Sequence, residues 1–245
     1  MIECSMVPEI IHLKTVDSTN SYLLENIENM QDRQVVVANM QTSGRGRFNR
    51  PWISEDSGNV YLSVLLKPQV DQHILGNVSQ FMALVVTDVF LKYCIETQLK
   101  WPNDVMVNGK KIAGILSESR YIGNKLQGFV LGLGVNLNMT EDNIKKIDQP
   151  ATALNIISGH TIGRDIFINE VLIEFFAGYD LLLKKGFSVI KDAYCNRCGF
   201  IGNSINVNVY GEIKTGIVKS ITENGELVLH SEDKEFIIHS GEIIT

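Results

Sequence analysis

Apolar positions along the chain fall into two periods, and each predicts a run of elements. Residues 10–16 alternate enough for a first strand. Asp17 or Ser18 then offers a helix N-cap, and residues 20–29 have helical character. Residues 35–38 are a short apolar run that reads as a buried strand, and residues 60–66 are a strand of β-branched and aromatic type. Residues 74–96 repeat at helical spacing and are nearly apolar in their middle, which predicts a long buried helix. Residues 100–107, 111–121 and 125–136 form a meander that turns at Asn108-Gly109 and Gly123-Asn124, so antiparallel pairing is expected. Loop with a short helix follows over 139–160, then a helix over 164–193 with Val171, Leu172, Phe175, Phe176, Tyr179, Leu182 and Leu183 on one stripe. After Gly199 the character changes to short strands at 204–210, 213–221, 226–230 and 235–239, which predicts an appended β-barrel of roughly 45 residues. The expected division is 1–198 and 199–245.

Composition narrows the function. With 245 residues, 44% hydrophobic and 20% charged, the chain reads as an ordinary soluble globular protein of one or two domains. A net charge of −6 argues against a general nucleic-acid binder. No uninterrupted apolar run reaches the roughly 18 residues of a membrane span, and the start MIECSMVPEI lacks a basic leader. Cys195 and Cys198 form one C-x-x-C without a second pair, Cys4 and Cys94 stand alone, and the five histidines (His12, His73, His160, His230, His239) are scattered. Reduced thiols in a cytoplasmic protein, with no protein-bound metal, are the expectation.

Four polar segments carry candidate chemistry. Gly44 to Trp52 (GRGRFNRPW) holds three arginines and two glycines where regular structure is unfavourable. It reads either as a solvated basic turn or as a loop that folds over an anionic ligand, with Trp52 as a stacking surface. On an acidic protein, a small anion fits better than a polymer. Asp17-Ser18-Thr19-Asn20 is either a plain N-cap or a set of directional donors for a neutral polar head group. Lys100-Trp101-Pro102-Asn103-Asp104 is followed by Lys111 across a hairpin, and Pro102 is unfavourable in a central strand. Lys111 beside Asp104 would be either a surface ion pair or a fixed cation in a site. Gly132-Leu133-Gly134-Val135-Asn136 begins like a dinucleotide fingerprint but lacks the third glycine. Its glycines permit close approach of a ligand or strand, and Asn136 could read a base edge.

Neither a Walker A run, nor a G-x-S-x-G elbow, nor a cysteine–histidine signature is present. What remains is chemistry by positioning and charge neutralisation, such as joining a carboxylate to the α-phosphate of ATP. A like-charge pair at 4 Å costs about 1 kcal/mol in water and more in a closed site. Arginines, a lysine and Mg²⁺ would remove that barrier.

Ser18-Thr19-Asn20, Gln41, the Gly44 to Trp52 loop, Lys100 to Asp104, Lys111-Ile112-Ala113-Gly114 and Gly134-Val135-Asn136 closely resemble the biotin protein ligase family, in its order and spacing. The resemblance covers residues 10–245. It implies an α+β fold with a mixed, largely antiparallel sheet of the class II synthetase-like, biotin–lipoate ligase type, plus a small C-terminal SH3-like barrel. It implies synthesis of biotinyl-5′-AMP from biotin and Mg·ATP, then transfer to one lysine of a biotin carboxyl carrier protein. Lys111, Arg47 and Asp104 match catalytic positions. Ser18, Thr19, Asn20, Gln41, Arg45, Gly46, Arg47, Lys111 and Gly114 match biotin contacts. Arg47, Arg50, Trp52, Asn136 and Lys111 match nucleotide contacts.

Two departures stand out. Asn49 replaces a frequent glycine, and asparagine tolerates positive φ. Only about nine residues precede the first strand, so the chain resembles the ligase-only type, with no DNA partner and no membrane expected and a homodimer permitted by exposed strand edges. Lipoate ligases and octanoyltransferases are the competing enzyme reading. A non-enzymatic biotin sensor is the competing reading outside enzymes.

Overall fold

The computed structural model describes residues 8–55, 58–232 and 234–244. Its first part is one seven-stranded sheet in the order β1-β2-β3-β7-β6-β5-β4. The strands are β1 (Ile10–Val16), β2 (Val35–Gln41), β3 (Val60–Leu66), β4 (Gln98–Lys100), β5 (Asp104–Val107), β6 (Lys110–Ile122) and β7 (Lys125–Val135). β1 and β2 pair in parallel, joined by a crossover through α1 (Thr19–Glu25). All other pairings are antiparallel, so the mixed, largely antiparallel α+β fold is as expected.

The two faces of the sheet are covered unequally. Two long helices, α2 (Gln72–Lys92) and α5 (Arg164–Lys185), close one face. Their aromatic residues pack at 5.6 Å (Phe81–Phe175) and 5.4 Å (Phe90–Phe167) between ring centroids. The other face is served by α1, seven residues long, over a small cluster of Leu23, Ile27, Val36, Leu65 and Val130. Seven residues span only about 10 Å of helix. The rest of that face is left for other structure, and the candidate site occupies it. Short helices α3 (Glu141–Lys145), α4 (Leu154–Ser158) and α6 (Lys191–Asn196) fill the connections.

A second sheet follows, with β8 (Ser204–Val209), β9 (Glu212–Ile221), β10 (Leu227–Ser231), β11 (Lys234–Ile238) and β12 (Glu242–Ile244) in the order β11-β10-β9-β8-β12. It docks through the turn before β10. Asn77 and Gln80, buried on α2, donate to Asn224 O at 2.7 Å and to Gly225 O at 2.7 Å, and Trp101 Nε1 donates to Gly225 O at 3.0 Å. These are buried polar groups satisfied across the contact, which fixes how the second sheet sits.

Several local expectations are corrected. Residues 100–107 are not one strand. β4 and β5 form a hairpin around a turn at Trp101, Pro102 and Asn103, which absorbs a proline that no central strand position would accept. The helix expected over 164–193 stops at Gly186, whose φ of 70° breaks helical geometry, and resumes as α6. The helix expected over 20–29 ends at Glu25 and gives way to turns. β12 was not foreseen, because three residues are too few for an alternation to show. α2 is long and apolar enough by composition to cross a membrane, although polar residues interrupt its apolar run, and it is mostly buried inside the protein.

Candidate functional site

The floor of the site is bare backbone. Gly114 on β6 and Gly134 on β7 are direct partners in the ladder, and Gly132 lies opposite Leu116. A Cβ on Gly134 would sit 2.5 Å from Trp52 Cε2, and one on Gly132 would sit 2.3 Å from Asn20 Oδ1. The glycines therefore allow close approach, but the groups that come close in the structure are the protein's own Trp52 and Asn20, not the ligand or strand expected.

Trp52 is set down there by the arginine loop, which is a self-bonded hairpin. Gly46 N donates to Arg50 O and Trp52 N to Gly44 O, both at 2.8 Å, and Arg45 and Pro51 form a bridge. Phe48 and Asn49 both take φ of 56° at the tip, so Asn49 adopts the left-handed turn for which glycine is the commoner residue.

At one end of the cavity lies a network of neutral polar side chains. Ser18, Thr19 and Asn20 are buried at the start of α1, and the Ser18 hydroxyl makes no capping hydrogen bond. Gln41 ends β2. Its Oε1 accepts from Thr19 N at 2.9 Å, and its Nε2 donates to Ser54 Oγ at 3.0 Å. Ser63 on β3 reaches Asn20 Oδ1 at 2.6 Å and Thr19 Oγ1 at 2.7 Å. Asn20 Nδ2 donates to Glu118 Oε2 at 2.8 Å. Arg45 Nη2 donates to the same carboxylate, at 2.9 Å to Oε1, so this first loop arginine is held by β6.

The other end is cationic. Arg47, Arg50, Lys100 and Lys111 line this part of the cavity, against Asp104 and Glu242. Lys100 faces Asp104 across the β4–β5 ladder, and Lys111 Nζ lies 2.7 Å from Asp104 Oδ1. The pair is largely shielded, with side chains 15% and 19% exposed, so it is not a surface ion pair. Burial pushes the Arg47 guanidinium and the Lys100 ammonium below their ordinary values, against the pull of Asp104 and Glu242. Hydrogen bonding to Glu242 raises Arg50. Arg47 Nη1 donates to Gly241 O at 2.8 Å.

Nearly all the expected residues meet here: Ser18, Thr19, Asn20, Gln41, Arg45, Gly46, Arg47, Arg50, Trp52, Asp104, Lys111 and Gly114 line one cavity. Asn136 does not. It lines an adjoining cavity that shares Arg50, Trp52 and Lys111 with the first. Its Nδ2 donates to Thr152 O at 3.0 Å, so half its amide is committed to structure. Trp52 stands between the two spaces, with Lys111 Nζ 5.6 Å from its ring centroid and its indole N–H buried without a partner among the described residues. Trp101 also lines the cavity, and its N–H serves the contact with the second sheet. Sequence reasoning missed Ser63, Glu118, Gly241 and Glu242. Ser63 was signalled as the one polar residue in an otherwise apolar strand, whereas Glu242 had no local signal at all.

The cysteines lie elsewhere. Cys94, Cys195 and Cys198 are free thiols, and burial pushes the last two up, away from reactivity. Cys4 lies outside the described residues. Among the described residues no group of three or more His, Cys, Asp or Glu is placed to hold a metal.

Known proteins resemble this chain over nearly its whole length. The profile of the Biotin/lipoate A/B protein ligase family matches residues 12–136, and that of the Biotin protein ligase C terminal domain matches residues 200–245. The biotin--[acetyl-CoA-carboxylase] ligase of Mycobacterium tuberculosis is 31% identical over 235 residues, covering 93% of this chain and 85% of the relative. The bifunctional ligase/repressor BirA of Bacillus spizizenii is 29% identical over 242 residues, covering 97% and 74%. A biotin protein ligase from Aquifex aeolicus, solved in complex with biotin and ATP, superposes with a TM-score of 0.83 at 29% identity, covering 96% of this chain and 97% of that one. On the family profile and these relatives together, the chain belongs to the biotin/lipoate A/B protein ligase family.

Proposed function

We propose that this protein activates biotin with ATP and transfers it to a lysine of a biotin carboxyl carrier protein. The observation that carries the reading is a single cavity with two chemically different ends. Hydrogen-bonding groups from Ser18, Thr19, Asn20 and Gln41, with Arg45 paired to Glu118, form one end, and four further cationic side chains, Arg47, Arg50, Lys100 and Lys111, gather near Asp104 and Glu242 at the other. A ligand that fits has an uncharged polar head, a chain and a carboxylate to be joined to a phosphate. Relatives named biotin ligases, one of them solved with biotin and ATP, agree with that shape.

In the first step a biotin carboxylate oxygen bonds to the α-phosphorus of ATP, and the bond from that phosphorus to pyrophosphate breaks. Both reactants are anionic. Lys111 and Arg47 neutralise charge where it accumulates, and Asp104 keeps Lys111 in place. Arg50, Trp52 and Asn136 face the adjoining cavity, which would take the nucleotide. The unsatisfied Trp52 N–H is a donor for that ligand. Mg²⁺ would enter with the ATP, as part of that substrate, and would offset the charge of its phosphates. In the second step a carrier lysine, losing a proton, attacks the acyl carbon, and AMP leaves.

The test is biotin-dependent exchange of labelled pyrophosphate into ATP, with lipoate and octanoate in parallel. Exchange with biotin alone is expected. Exchange with lipoate or octanoate instead would move the chain to the sister activity. Exchange with none would end the adenylating reading.

A further inference from the structure

Two of the three loop arginines reach the second sheet, although Arg47 Nη1 also donates to Asn103 Oδ1, in the β4–β5 turn, at 3.4 Å. Arg47 Nη1 donates to Gly241 O at 2.8 Å, and Arg50 Nη1 pairs with the Glu242 carboxylate. The anchor is the fixed partner. Glu242 opens β12 and is laddered to Asn208 on β8. Gly241 runs so close to β8 that a Cβ there would meet Asn208 O at 2.8 Å. The second sheet is itself tied to α2 and Trp101 through the 224–225 turn. The Glu242 side chain is 22% exposed and that of Arg50 58%, so Glu242 is the more enclosed end of the pair. Hydrogen bonds within the loop make it one hairpin, and only side-chain anchors restrain its tip.

We propose that Glu242 is a positioning residue for the arginine loop, holding Arg50, with Gly241 holding Arg47, so that the second sheet sets how firmly the loop retains an acyl-adenylate. The inference rests on the adenylating function proposed above. It gives the appended sheet a part in the chemistry although none of its groups need touch the reacting atoms. It also explains why Glu242 lines the cavity despite lying about 190 residues from the loop in sequence.

The experiment uses the full chain with Glu242→Ala, Glu242→Gln, Arg50→Ala and the Arg50→Ala/Glu242→Ala double variant. The readout is the fraction of biotinyl-AMP that stays with the protein through rapid gel filtration, alongside biotin-dependent pyrophosphate exchange and thermal unfolding. Glu242→Ala is expected to speed adenylate loss about two- to fivefold, the range of a partly exposed ion pair, at an unchanged unfolding midpoint. Glu242→Gln, whose amide oxygen still accepts from Arg50, is expected to fall between Glu242→Ala and the unsubstituted chain. In the Arg50→Ala background, Glu242→Ala is expected to add nothing. An equal effect of Glu242→Ala in both backgrounds, or none in either, would overturn the proposal. An unsubstituted chain without any exchange would instead overturn the adenylating reading, and this inference with it.

Discussion

Lys111 reaches the Asp104 carboxylate, 2.7 Å away, by lying across Gly114. Asp104 is opposite Gly114 in the β5–β6 ladder, while Lys111 is opposite Met106, on the far side of a register shift. The lysine therefore does not face its partner directly. Its chain crosses the space that a side chain at 114 would fill, and Trp52 comes down on the same bare patch. One glycine thus admits both the cation and the aromatic wall of the site.

Gly114→Ala follows from that geometry. The added Cβ would lie 3.0 Å from Lys111 Cε and 3.2 Å from Trp52 Cζ3, so both must yield by a few tenths of an ångström. Stability is expected to change by no more than about 1 kcal/mol, because a lysine end can shift. The adenylation rate should fall at least tenfold, since displacement of about 1 Å in a positioned group costs up to 10². Gly134→Ala, 2.5 Å from Trp52 Cε2, should be worse in both respects. Unfolding curves and pyrophosphate exchange on the same preparations check this, and an active Gly114→Ala protein with Lys111 undisturbed would refute it.

Lys111→Ala removes the cation and leaves Asp104 facing the incoming carboxylate and phosphates. The loss in adenylation rate is expected at about 10²–10³, the scale of deleting one charge-stabilising group. Biotin affinity should change far less, because the neutral head group is met at the other end of the cavity. Binding titrations beside single-turnover pyrophosphate release separate the two, and equal losses would make Lys111 a binding residue.

Ser63→Ala probes the polar end. The Ser63 hydroxyl is fully buried, and its hydrogen goes to Asn20 Oδ1, which can only accept. Without it, Asn20 Oδ1 loses its donor, at a cost of about 1–3 kcal/mol for a buried orphan. Asn20 should then rotate away from Glu118, and biotin affinity should drop with stability. Urea unfolding and equilibrium biotin binding are the measurements, and unchanged affinity would remove Ser63 and Asn20 from the head-group site.

What the sequence could reveal depended on whether the signal was local. Residues 35–38 announced a buried strand and residues 60–66 a strand of β-branched and aromatic type, and Asn108-Gly109 announced its turn, because those preferences act within a few residues. The site was legible as motifs, since each polar segment breaks an apolar pattern around it. Contacts between distant segments were not legible. Nothing near Glu242 marks it as the partner of Arg50, and nothing near Trp101 marks its N–H as bound for Gly225 O. The proline at 102 was noticed as foreign to a strand, but the turn it makes between β4 and β5 depends on pairing that only the fold supplies.

Trp101 gives the last prediction, because it joins the most family-like segment of the sequence to the second sheet. Gly225 O accepts two buried hydrogen bonds, from Trp101 Nε1 at 3.0 Å and from Gln80 Nε2 at 2.7 Å. Trp101→Phe removes one and leaves the carbonyl satisfied, so the cost is expected at about 1 kcal/mol plus a small packing loss. Gln80→Leu should cost a similar amount. The double variant strips both donors and buries an orphaned carbonyl, which adds about 1–3 kcal/mol beyond the sum of the singles. If the second sheet anchors the arginine loop, the double variant should also release biotinyl-AMP faster than either single. Simple additivity in urea unfolding would mean that the turn relaxes to water when one donor is lost, and that the contact between the sheets is looser than this hydrogen-bond pattern requires.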